Sequence, residues 1–184
     1  MSAKPAAGDP ARRDAWALEE AQGFLELNLP ARALAALERV SPAGRETFGP
    51  SMARATALMA LQRHDDAIPH LLHAKALNPK AIPVLVALGW CCKRSDQLPR
   101  AIAELHLAER LARQRRDDPS RALAMYNLSC YYCLALRKAE CLHWLELALH
   151  ADAKYRKLAL AEADFATLHD DPHWQLLVTG GPTP

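Results

Sequence analysis

The sequence is short of the residues that build sheets, with four Val and three Ile against 36 Ala and 30 Leu. Ala and Leu lead the helix scale, while β-branched side chains favour strands. An all-β fold is therefore excluded, and an α/β sheet has almost nothing to form its strands from. Glycine is scarce as well, with seven residues, too few for a loop-rich fold or for phosphate-cradling loops. Nor is there a surplus of charge. The net value of +2 argues neither for a nucleic-acid binder nor for an enzyme of acidic substrates. The longest nearly apolar stretch, Ala81 to Cys92, is about half of the ~20 residues that a membrane-spanning helix needs. The first residues, MSAKPAAGDPARRD, lack the apolar centre of a secretory signal. Five Cys suit no closed disulfide framework and read as reduced thiols. These absences leave the expectation of a soluble, cytoplasmic, all-α protein without membrane insertion.

What is present is a repeat. Ala33, Ala67 and Ala101 are 34 residues apart, and so are Leu34, Ile68 and Ile102, and Leu37, Leu71 and Leu105. Ala21, Ala55 and Gly89 share the period, as do Phe24, Leu58 and Cys92. A step of 40 then reaches a fourth copy, from Gly89 to Ser129, Cys92 to Tyr132, Ala101 to Cys141 and Leu105 to Leu145. The extra residues fall in or near Arg113 to Arg121. Within a unit, Ala67, Ile68, Leu71, Leu72 and Ala74 form the stripe of an amphipathic helix. Each unit reads as two antiparallel helices, with small residues where they cross.

Thirteen Pro look excessive for helices until they are placed. Pro30, Pro69 and Pro99 fall in the first turn of second helices, where a missing N–H costs little. Pro50, Pro83 and Pro119 begin first helices, Pro42 and Pro79 end second ones, and Pro172 opens a last helix after Asp171.

A 34-residue helix-turn-helix unit of this pattern resembles the tetratricopeptide repeat (TPR), specifically its bacterial form. The resemblance is carried by Ala55, Leu58, Ala67, Leu71, Ala74 and Pro79 in the second unit and by Leu88, Gly89, Cys92, Ala101, Leu105 and Ala108 in the third. The fourth unit, MYNLSCYY, also resembles the family. The first departs from it, with Glu20 where Leu is usual, and Arg113 stands where the third unit should close on Pro. The resemblance implies a right-handed α-α superhelix of about four helix pairs, at about 14–45, 48–80, 82–115 and 119–150, within an array over 11–150. Residues 151–178 are similar to the D-x-x-F-x-x-L-x-x-D-P ending of bacterial TPR chains and are expected to cap the last pair. Residues 1–10 and 179–184 read as tails.

The family takes its ligands on the first helices. Carried over by repeat position, the resemblance nominates Leu18, Gln22 and Leu25; Met52, Thr56 and Met59; Val86, Trp90, Lys93 and Arg94; and Tyr126, Cys130 and Cys133. The clamp that holds chaperone C-termini is missing, because Leu18, Gln22, Ala53, Pro83 and Ala87 occupy its positions. The expected function is a non-enzymatic scaffold or adaptor that binds a peptide or helix of a protein partner in an apolar groove. The alternative is a cytosolic chaperone for a secreted or membrane-bound client. Whether the groove is open or filled by the C-terminal segment is left open by the sequence. No cofactor, metal or catalytic residue is expected. Cys130, Cys133, Cys141 and His143 could offer four zinc ligands, but buried thiols are the simpler reading. The two H-D-D runs, His64–Asp66 and His169–Asp171, fall at helix starts and are read as caps. The run Arg110, Arg113, Arg115 and Arg116 reads as a solvated helix face.

Overall fold

The computed structural model describes residues 9–179, all of whose regular structure is helical. The chain forms two compact units, Met1–Ser95 and Asp96–Pro184. The first holds α1 (Pro10–Glu26), α2 (Pro30–Leu37), α3 (Pro42–Arg45), α4 (Phe48–Ala60), α5 (His64–Leu77) and α6 (Ile82–Arg94). The second holds α7 (Leu98–Arg115), α8 (Asp118–Leu134), α9 (Lys138–Ala151), α10 (Lys154–Ala161), a 3-10 helix (Ala163–Leu168) and α11 (Pro172–Thr179).

Alanine sets how the helices pack in the first unit. Ala17, Ala21, Ala33, Ala36, Ala53 and Ala57 bury together with Leu37 and Val40. Without side chains beyond Cβ, these residues let the helix backbones approach closely, and Leu37 fills the space beside them. Further positions of the 34-residue period are interior too: Ala55, Ala67, Leu71, Ala101, Leu105, Ser129, Cys141 and Leu145 are all fully buried.

The turns inside the pairs follow the same period. Asn28, Gln62, Asp96 and Leu136 have φ of 54°, 60°, 55° and 58°, at steps of 34, 34 and 40 residues. Each ends a first helix in the left-handed conformation that glycine favours, yet none is glycine. The turn closes when the next amide donates back to the large residue of the repeat: Leu29 N to Phe24 O at 2.8 Å, Arg63 N to Leu58 O and Arg137 N to Tyr132 O at 2.9 Å. Arg116 (φ 56°) ends α7 in the same way, after the helix has run past its family length.

Several expectations are corrected. Helix α1 starts at Pro10, with Asp9 Oδ1 accepting from Ala11 N at 3.0 Å, and so takes in the end of the stretch expected as a tail. Residues 1–8 and 180–184 of the expected tails lie outside the described residues, and Thr179 belongs to α11. Pro42 does not end the second helix of the first unit. That helix stops at Leu37, and Pro42 opens α3, which Ser41 caps by accepting from Gly44 N at 3.1 Å. Pro69 is in the interior of α5 rather than its first turn, because α5 begins at His64. The site is exposed and one turn from the start, so the lost hydrogen bond falls where water can replace it. Only one H-D-D run supplies a side-chain cap. Asp171 Oδ1 accepts from His173 N at 3.0 Å and Trp174 N at 3.1 Å, whereas the α5 start has no side-chain cap and Asp66 pairs with Arg63 at 2.7 Å.

Candidate partner-binding face

Four first helices carry the nominated residues with one spacing, i, i+4 and i+7, which places each set on one helix face. In α1 these are Leu18, Gln22 and Leu25. Gln22 is exposed, and Leu18 and Leu25 are half-buried, leaning on the alanine core. In α4, Met52 and Met59 are half-buried and Thr56 is exposed. The opposite side of α4 holds the packing residues Ala53, Ala57 and Leu58. Arg54, on the side of α4 away from the stripe, fastens α4 to the end of α2 through Glu38 Oε1 and the Leu37 carbonyl, both at 2.9 Å. The pairing with Arg54 holds the Glu38 carboxyl below the usual carboxylate range.

Helix α6 presents Val86, Trp90 and Lys93 half-buried and Arg94 exposed. The Trp90 ring is not simply open to a partner. The His64 ring meets it edge-on with centroids 4.5 Å apart, and Arg94 Cζ lies 5.4 Å from its centre. His64 Nδ1 is buried there without a hydrogen-bond partner, and burial lowers the His64 pKa. A cavity of about 490 Å³ also opens in this unit, between the start of α1 and the α3–α4 corner. It is lined in part by Asp14, Leu18, Ser41 and Thr47. A Cβ added at Gly49 would come within 2.8 Å of Leu18 Cδ2, so a larger residue there requires the Leu18 side chain to shift.

The fourth stripe is covered. Tyr126, Cys130 and Cys133 of α8 are buried, which corrects their nomination as an accessible surface. The Tyr126 ring stacks on Tyr155 of α10 at 4.7 Å and meets Phe165 of the 3-10 helix at 6.2 Å. Cys133 Sγ lies 3.5 Å from Thr167 Oγ1. Residues 154–179 thus occupy in α8 the face that α1, α4 and α6 leave partly open. The ending motif fixes this arrangement: Phe165 and Leu168 bury, and Lys138 holds Asp171, the α11 cap.

The cysteines do not assemble as a zinc quartet with His143, which is exposed on α9 and lines a separate cavity of about 530 Å³ with Lys138 and His173. All five are buried thiols. Burial beside Cys92 pushes the Cys91 thiol up to about 12, and hydrogen bonding from Cys141 draws the Cys133 thiol down. The residues that sequence reasoning missed are the two buried acids of α7. Glu109 Oε1 accepts from Arg121 Nε of α8 at 2.9 Å, and Glu104 is also buried. Their spacing of five residues carried no signal on a helix already rich in charge. Among the described residues, no helix is long and apolar enough to cross a membrane.

No family model matches the chain, and no curated protein matches it. Solved structures do. PilF of Pseudomonas aeruginosa is 17% identical with a TM-score of 0.70, over 95% of this chain and 79% of its own. YrrB, described as a TPR protein with an unusual peptide-binding site, is 23% identical with a TM-score of 0.67, over 77% and 69%. MamA is 18% identical with a TM-score of 0.67, over 77% and 79%. The helix pairs, their turns and these likenesses together give the chain the tetratricopeptide-repeat fold.

Proposed function

We propose that this protein is a non-enzymatic, cytoplasmic interaction module that holds a peptide or helix of another protein on the first-helix face of residues 9–95. One observation carries the reading. The stripes of α1, α4 and α6 keep Gln22, Thr56 and Arg94 exposed and Leu25, Met52, Met59 and Val86 half-buried, while the equivalent stripe of α8 is occupied by the chain itself. A half-buried Met pair adapts to irregular apolar partners, and the neighbouring polar groups fix register. The likeness to YrrB, itself described with a peptide-binding site, supports the same use of the fold.

The test is a comparative pull-down from the source cells with the intact chain and its Thr56→Glu/Met59→Glu variant. The variant should keep its circular dichroism and lose the partners that the wild type retains, with at least about a tenfold drop in recovery. An unchanged partner set would remove the face from consideration. Several substoichiometric partners fit an adaptor, and a single client at one-to-one fits a dedicated chaperone.

A further inference from the structure

Beneath the C-terminal segment, three metal-ligating groups from two separate stretches of chain converge. Cys130 Sγ on α8 and one carboxylate oxygen each from Glu162 and Asp164, at the start of the 3-10 helix, all lie within 4.8 Å of one another. Among the described residues this is the only such group. A second observation marks the spot. The Tyr126 hydroxyl, on a residue only 6% exposed and one turn before Cys130, has no hydrogen-bond partner. Tyr126 shares the α8 face that carries Cys130, one turn away. Tyr155 and Phe165 pack on its ring and fix where it points.

We propose that Cys130, Glu162 and Asp164 bind one divalent ion of the zinc class, and that the ion fastens the C-terminal segment to α8. The donor set fits that class. One soft thiolate selects for zinc or cobalt over magnesium and calcium, and carboxylate oxygens complete a mixed sulfur–oxygen site. Tetrahedral zinc ligands stand roughly 3.5 Å apart, so the three atoms have to draw in by about 1 Å, within the reach of side-chain rotation. Binding forms the metal–sulfur bond as the Cys130 thiol releases its proton to solvent, so uptake weakens as the pH falls. The ion offsets the charge of two carboxylates and a thiolate crowded at the edge of an apolar layer. Glu162 keeps its role in the fold while doing so. One oxygen, Oε1, accepts from Asp164 N at 3.4 Å, and a carboxylate has acceptor capacity to spare. The Tyr126 hydroxyl gains a partner, as the fourth ligand or as donor to a metal-bound water.

The experiment uses the full chain, stripped of metal with a chelator and titrated with Co(II) as a spectroscopic probe. About one Co(II) per chain is expected, with thiolate-to-cobalt charge-transfer absorption that zinc abolishes by displacement. Cys130→Ala should lose the absorption, and Cys133→Ala should keep it. Asp164→Asn, which preserves shape, should weaken cobalt affinity by more than about tenfold. It decides the matter if Cys130→Ala fails to fold. Absence of thiolate absorption in natively helical wild type overturns the site. So does absorption that survives Cys130→Ala, or Asp164→Asn with undiminished affinity.

Discussion

Single carboxylates and imidazoles tie particular turns to pH. Asp14 of α1 receives the Ser41 amide at 2.7 Å and the Ser41 hydroxyl, while Ser41 caps α3. These hydrogen bonds hold the Asp14 carboxyl below its ordinary range. A depressed carboxyl contributes stability that is present above the unfolded value, about 3.9, and is lost as pH falls through the folded value. Burial shifts His64, His70 and His106 downward, so the native state resists their protonation. That resistance costs stability as pH falls from about 6.5 towards their folded values. The thermal midpoint should therefore decline in two stages on acidification, imidazoles first. In Asp14→Asn the midpoint should be lower at neutral pH, with the gap to wild type closing below about pH 4. A constant gap across the titration would mean that the Asp14 charge is immaterial. None of this was readable beforehand, because the Asp14–Ser41 contact joins residues from different helices with no shared motif.

Among the elements, the turn between paired helices is the one most at odds with its own residues. Leu136 is 80% exposed and sits at φ 58°. A left-handed leucine costs roughly 1–2 kcal/mol, and Asn tolerates the conformation better. Leu136→Asn should raise stability by about 1 kcal/mol in denaturant unfolding, because the exposed side chain has little packing to lose. A decrease would show that Leu136 makes contacts that its exposure conceals. The helix pairs were legible from Ala33, Ala67, Ala101 and Cys141, since only a fixed period places small residues at every crossing. The short α2 and the interior Pro69 were not. Both depend on where a neighbouring helix begins, and Ser41 and His64 give only weak boundary signals. The Tyr126, Cys130 and Cys133 stripe has the same spacing as its open counterparts. Its burial comes from Tyr155 and Phe165, a pairing that no repeat period encodes.

At the scale of the whole molecule, the proposed interaction face of residues 9–95 and the covered stripe of α8 belong to different compact units. Removing residues from Lys154 onward should therefore strip the second unit and spare the first. Tyr155, Phe165, Leu168, Trp174 and Leu177 are buried side chains, each worth roughly 1.5–3 kcal/mol against exposure. The shortened chain should bind an apolar dye and show hydrogen exchange rising in α8 and α9, with α1 to α5 still protected. Equal loss of protection in both units would mean that the chain unfolds as one. The covered stripe also has a consequence for biosynthesis. Residues 154–179 leave the ribosome after α8 and α9, so every nascent chain passes through an interval in which Tyr126 and its neighbours are bare. During that interval the chain most resembles a client in need of shelter, and the interval ends only when its own last helices arrive.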